Sequence, residues 1–203
     1  MRTRKVNLIR RIIHSLYCRL HSVINFRILH FDTIILYEHK ELKEISSPAV
    51  IKNVDYHMLP DILSFQDKKY LELFKNFLEN GDQGYFAYLD GKCVHRTWVK
   101  LGPQEVNLHH FWKKSLKENE LFIHYCETAE EARGKSIYPG VLAKIVKDFK
   151  EKYTIYISTS LKNQASIKAI EKAGFKEKER KKITAFLGLK QIKIIPTHEL
   201  VKI

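Results

Sequence analysis

A chain of 203 residues, 44% of them hydrophobic, is long enough for one domain with a buried core and too apolar to be disordered. No apolar run reaches the ~20 residues of a membrane-spanning helix, and Cys18, Cys93 and Cys126 are odd in number and lack metal-ligand spacing, which argues against a disulfide framework or a bound metal and for a reducing, cytoplasmic compartment. The net charge of +13 favours anionic partners and is uneven, since residues 1–30 hold seven Arg and Lys and no Asp or Glu.

Residues 1–5 resemble the basic head of a signal peptide, but Arg10, Arg11, His14, Arg19 and His21 break any apolar segment behind it. Over 5–24, Leu8, Ile9, Ile12, Ile13, Leu16, Leu20, Val23 and Ile24 form a stripe of helical period, with Arg10, Arg11 and Arg19 largely outside it. Three readings of this helix stay open: packing on its own domain, a homodimer contact, or a peripheral contact with an anionic membrane. Residues 33–37 carry a strand signal. Ser46-Ser47-Pro48 punctuates the chain, which gives an extension over 1–45 and a main domain over 46–203.

Residues 50–54 read as a short strand and 57–60 as a turn. A helix over 68–78 buries Tyr70, Leu71, Phe74, Phe77 and Leu78, and Asn80-Gly81-Asp82 stops it. Strands over 85–89 and 93–99 flank Asp90-Gly91, a tight hairpin signal. Residues 106–117, with His109-His110-Phe111-Trp112, read as a loop, short helix or lid. The segment 121–126 is the central strand, where alternation places Phe122, His124 and Cys126 on one face. A polar turn over 127–133 leads to a helix burying Ile137, Val141, Leu142, Ile145, Val146 and Phe149, with Pro139 in its first turn. A strand over 153–160, a short helix capped by Asn163 and ended by Gly174-Phe175, and strands over 184–187 and 191–195 complete the chain. The order implies an α/β (α+β) sheet with one right-handed parallel crossover.

The turn over 133–138 lies between a strand and a helix, where unpaired amides and the helix dipole favour an anion. Gly134 permits a tight turn, Arg133 and Lys135 add charge, and the amides of 134–138 are placed to cradle a diphosphate. Neither a Walker loop nor a dinucleotide fingerprint is present.

The run from Glu127 through Arg133-Gly134-Lys135-Ser136-Ile137-Tyr138 resembles the acetyl-CoA signature of the GNAT (GCN5-related) N-acetyltransferases, Gln/Arg-x-x-Gly-x-Gly/Ala. Asn163-x-x-Ser166 with Lys172-Ala173-Gly174-Phe175 resembles the second block of that family, and the likeness covers about residues 49–190. It implies a GNAT-like mixed, mostly antiparallel twisted sheet flanked by helices. The family's fourth and fifth strands run parallel and splay apart around the cofactor. The implied reaction is transfer of an acetyl group from acetyl-CoA to a primary amine, an amino sugar or other small polar amine, by direct attack with a general base.

By the same resemblance, Cys126, Thr128, Arg133, Gly134, Lys135, Ser136, Ile137, Tyr138, Asn163 and Ser166 bind the cofactor, and the oxyanion amide belongs near Thr128 or Cys126. Candidate bases are His124, whose ordinary pKa suits neutral pH, then His95, then Glu127. Tyr85, Tyr88, His95, Arg96 and Trp98 are expected to form a polar aromatic acceptor pocket. Ser136 and Tyr138 stand where the family has small residues, and Ile170 occupies the place of its usual acid tyrosine. The rival reading is a non-catalytic module of this fold that binds nucleic acid or a membrane through the basic helix, although no nucleic-acid recognition motif is present.

Overall fold

The computed structural model describes residues 29–186 and 189–195. The helix expected over 5–24 lies outside them. Among the described residues no helix is long and apolar enough to cross a membrane.

The strands are β1 (Leu29–His39), β2 (Val50–Asn53), β3 (Gln83–Leu89), β4 (Lys92–Leu101), β5 (Gln104–His109), β6 (Trp112–Leu116), β7 (Glu120–Thr128), β8 (Thr154–Ser160), β9 (Phe175–Phe186) and β10 (Leu189–Ile195). The helices are α1 (Lys69–Glu79), α2 (Ile137–Phe149) and α3 (Gln164–Lys172), with 3-10 segments at Tyr56–Ser64 and Glu130–Ala132. Eight strands form one sheet in the order β10-β9-β1-β8-β7-β4-β3-β2, and β5 pairs with β6 separately. Only β7 and β8 run parallel among the paired strands described. This is the mixed, mostly antiparallel sheet with one parallel pair that the sequence implies.

Alternation along the strands divides the core. Leu121, Ile123, Ile155 and Ile157 meet Ile137, Val141, Leu142, Ile145 and Val146 of α2. On the opposite face, Phe122 and Tyr156 pack under Val106, Leu108, Trp112 and Leu116 of the β5–β6 hairpin, and Phe86 and Trp98 pack against Phe74 of α1. Each such buried side chain contributes about 1.5–3 kcal/mol at most.

Four sequence expectations are corrected. The turn at 57–60 is part of a 3-10 segment, because Asp55 accepts from the amides of His57 and Met58 and Leu59 and Ile62 are buried on one side. The loop or lid over 106–117 is a hairpin, whose alternate apolar residues cover the sheet. Residues 184–186 of the strand expected at 184–187 are the end of the long β9, whose charged first part, Lys176 to Lys182, hides the strand pattern, and Leu187 lies outside the described residues. Finally, β1 is an interior strand between β8 and β9, so the sheet begins upstream of the boundary expected at residue 46. Its partners lie far along the chain, and local patterning carries no record of them.

Two irregularities shape the centre of the sheet. The β7–β8 ladder runs from Glu120 opposite Thr154 to Ile123 opposite Ile157 and stops. Yet β7 stays paired with β4 as far as Thr128, and β8 with β1 as far as Ser160. The two parallel strands therefore splay. Between the pairs Arg96–Glu127 and Trp98–His124, β7 holds Tyr125 and Cys126 against Thr97 alone, and Tyr125 has φ +51°. This is a β-bulge, which bends the strand and breaks the alternation of its side chains.

Gly174 ends α3 with φ +85°, and its carbonyl accepts from the amides of Lys40 and Glu41. A Cβ there would lie 1.8 Å from the Glu41 carbonyl oxygen. Gly174→Ala is therefore expected to destabilise the chain by at least ~2 kcal/mol, read by urea unfolding. An unchanged midpoint would show that residues 40–41 yield freely.

Candidate active site

The splay opens a cleft of about 670 Å³ between the end of β7, the start of α2 and one face of α3. Of the residues expected to bind the cofactor, Cys126, Thr128, Arg133, Gly134, Ser136, Ile137, Tyr138, Asn163 and Ser166 line it. Lys135 is exposed on the turn and does not line the cleft.

The turn is built by two left-handed residues, Gly134 at φ +78° and Ser136 at φ +58°. The second costs about 1–2 kcal/mol for a non-glycine residue. Its hydroxyl accepts from Lys172 Nζ at 2.9 Å, which ties the start of α2 to α3. Asn163 caps α3 by accepting from the Ser166 amide at 3.1 Å. Lys168 and Lys172 also line the cleft and were not identified as site residues from the sequence. Their signal was present: they are one helical turn apart, on the side of α3 that carries the small residues Ala165 and Ala169. With Arg133 and the first amides of α2 they make this end of the cleft an anion site.

The bulge turns Cys126 toward α2, so it does not share the face of Phe122 and His124 as strict alternation implies. Burial raises its thiol pKa, against the smaller opposing effects of Thr97 and Tyr138, and burial likewise holds the Tyr138 phenol well above its usual range. The Tyr138 ring stacks on His95, with centroids 5.4 Å apart. The ring nitrogens of His95 are taken by Thr128 Oγ1 and Thr97 Oγ1, both at 2.7 Å. Burial, and secondarily Arg96, push His95 down to about 3. It is thus neutral with both nitrogens occupied. The expectation of His95 as a base is corrected: it braces Thr128 and Tyr138.

On the opposite face, His124 is 14% exposed, and its Nε2 lies 3.2 Å from Oδ2 of the fully buried Asp82. Burial lowers its pKa, and Asp82 acts against that. His124 lines a recess of about 400 Å³ with Phe77, Lys100 and Tyr125, outside the cofactor cleft. Glu127 is placed differently. It lines the cofactor cleft and also a third recess, of about 340 Å³, with Leu63, Phe65, Gln66, Asp67 and Tyr70. Its carboxylate pairs with Arg96 at 2.6 Å.

The acceptor pocket expected from Tyr85, Tyr88, His95, Arg96 and Trp98 is not assembled. Tyr85 and Trp98 are fully buried in cores on opposite faces of the sheet, Tyr85 bonds Asp148, and Tyr88 bonds Asp61. Only Arg96 of the five stands behind the acidic recess. Both faces of β3 and β4 are covered, so polar and aromatic residues there serve packing as readily as binding.

Comparison with known proteins gives three results. The model of the Acetyltransferase (GNAT) family matches residues 51–175, more than half of the chain. No curated protein matches by sequence. Among solved structures, a GNAT-family acetyltransferase from Colwellia psychrerythraea superposes with TM-score 0.60 at 18% identity, over 82% of this chain and 60% of that one. The glucosamine N-acetyltransferase region of a fungal multi-domain β-N-acetylglucosaminidase gives 0.57 at 11%, over 83% and 23%. A GCN5-related N-acetyltransferase-like protein from Streptococcus suis gives 0.55 at 13%, over 83% and 67%. At these identities the structures show a common fold, and this chain spans about three fifths of the first.

Two outcomes are expected. Replacing Lys168 and Lys172 together by Ala weakens CoA binding roughly 10-fold or more, about 1.4 kcal/mol, with a smaller loss at high salt in calorimetry. Acidification exposes His95. Its folded pKa is depressed below 6.5, so the unfolded chain binds the extra proton and stability falls as pH drops from 6.5 toward 3. The slope due to this group is about 1.4 kcal/mol per pH unit, and His95→Gln removes that part of the acid dependence in urea melts.

Proposed function

This chain belongs to the GNAT acetyltransferase family, and we propose that it transfers an acetyl group from acetyl-CoA to the primary amine of a small polar acceptor. The observation that carries this reading is the position of Glu127, whose side chain lines both the basic cofactor cleft and the acidic recess.

The residues present fit the cofactor. Arg133, Lys168, Lys172 and the amides opening α2 would hold its phosphates. The facing edges of β7 beyond Ile123 and β8 beyond Ile157 are unpaired with each other and offer backbone groups to the amides of its pantetheine arm. Acetyl-CoA supplies the activated thioester carbonyl. The Cys126 or Thr128 amide on β7 would donate to the carbonyl oxygen, where a fixed donor stabilises developing charge.

The acceptor enters from the recess beside Tyr70. Asp67 and Glu127 offer carboxylate oxygens to its ammonium, beside the cations Lys69 and Arg96 that already pair with them. Glu127 takes one proton, the free amine attacks, the C–N bond forms and the C–S bond breaks. Ile170 is fully buried and apolar, and has no proton to give. The Tyr138 phenol and Cys126 thiol line the cleft, and burial keeps both protonated; they are the donors for the departing thiolate.

An amino sugar is the preferred acceptor. Tyr125 exposes 46% of its surface and lines the recess of His124, and an exposed ring suits a sugar face.

The test is calorimetry with acetyl-CoA, then CoA-thiol release with a panel of amines that includes glucosamine. Glu127→Gln is expected to lower kcat about 100-fold while leaving acetyl-CoA affinity unchanged. No binding of acetyl-CoA would overturn the proposal, and full activity of Glu127→Gln would remove Glu127 as base.

A further inference from the structure

An arginine in the middle of a sheet has to be explained. Arg96 lies on β4, one strand from the splay, with only 4% of its side chain exposed. Burying a guanidinium is costly, and a buried ion pair is weak evidence for stability; its contribution lies in geometry. Arg96 is bound on every side that its planar fork reaches. Nη2 donates to Glu127 Oε2 at 2.6 Å and to Gln66 Oε1 at 3.2 Å, and Nη1 donates to the Tyr125 carbonyl. The rings of Phe74, Tyr70 and Tyr125 surround it, with centroids 4.9, 5.0 and 5.6 Å from the guanidinium carbon.

Two of these partners matter for the reaction. Tyr125 is the bulge residue, which the β4–β7 register leaves unpaired with any single β4 residue, so its carbonyl takes a partner from a side chain. Glu127 is 41% exposed, and without a fixed partner its carboxylate would sample several rotamers in water. Arg96 binds Oε2, while Oε1 has no hydrogen bond among the described residues.

We propose that Arg96 is a positioning residue for acetyl transfer. By clamping the Tyr125 carbonyl and one carboxylate oxygen of Glu127, it presents the other oxygen to the acceptor ammonium at the mouth of the cleft. The proposal rests on the acetyltransferase reading and on Glu127 as proton acceptor. Lysine cannot substitute, because one ammonium does not span a carbonyl, a carboxylate and an amide in one plane. The other titratable groups near the guanidinium are Tyr70 on α1, Asp67 just before it, His95 beside it on β4, and His124, Tyr125 and Cys126 on β7. Of the groups around it, the Glu127 carboxylate is the one to which it is ion-paired.

The experiment compares wild type, Arg96→Ala, Arg96→Lys and Glu127→Gln in the full chain. Acetyl-CoA affinity is measured by calorimetry and turnover with the acceptor found by thiol release. Arg96→Ala is expected to bind acetyl-CoA as wild type does, to lose about 100-fold in kcat, and to regain part of that rate when guanidinium is added far below unfolding concentrations. Glu127→Gln is expected to be equally slow and to gain nothing from guanidinium. A wild-type kcat in Arg96→Ala overturns the proposal, as does a slow variant with intact cofactor binding that guanidinium does not help. Should Arg96→Ala fail to fold, Arg96→Lys decides: lowered kcat at unchanged KM for acetyl-CoA supports the proposal, and a wild-type kcat sinks it. A fully active Glu127→Gln would instead overturn the Glu127 assignment.

Discussion

The hydrogen-bond ladder between β7 and β8 stops at Ile123 and Ile157 while both strands continue. Backbone groups left unpaired between two strands are costly unless something satisfies them. The rest of the site is arranged around that opening. On one side α2 and α3 converge on it and bring basic side chains and helix amides. On the other, the turn between the 3-10 segment and α1 brings Phe65 and Asp67, and α1 brings Tyr70.

The two sides differ in charge. The cofactor side collects Arg133, Lys168 and Lys172, and the acceptor side collects Asp67 and Glu127. A chain of net charge +13 would attract anions generally and repel a cationic acceptor. Within a few ångströms, where Coulomb energies are least screened, the carboxylates of the recess act against that preference, each already paired, Asp67 with Lys69 and Glu127 with Arg96. Glu127 stands at the boundary, and its ion pair with Arg96 ties the acidic recess to the central strands.

Between the two sides runs a buried polar layer. Thr97, His95 and Thr128 are joined by hydrogen bonds of 2.7 Å, and Tyr138 stacks on His95. Burial keeps His95 neutral and the Cys126 thiol and Tyr138 phenol protonated. Tyr138, on α2, brings a phenol to the cleft, whereas Ile170, on α3, is buried and apolar.

Much of this was legible locally. The apolar spacing of α2, the Asp90-Gly91 hairpin, the Asn163 cap and the turn at Gly134 and Ser136 each follow from contacts within a few residues, and the cofactor cleft followed from them. Even Lys168 and Lys172 were readable as a helical pair. Other features were not. Strict alternation put Cys126 beside His124, but one bulge residue turned it to the other face. Pattern also placed β1 outside the main domain, although it pairs with strands more than a hundred residues away. The sequence by itself determined most of the elements, the turn at Gly134 and Ser136 and the family. Tertiary structure decided which histidine is walled in, which carboxylate joins the two sides and what the buried arginine holds, because those outcomes depend on register and long-range burial rather than on local pattern.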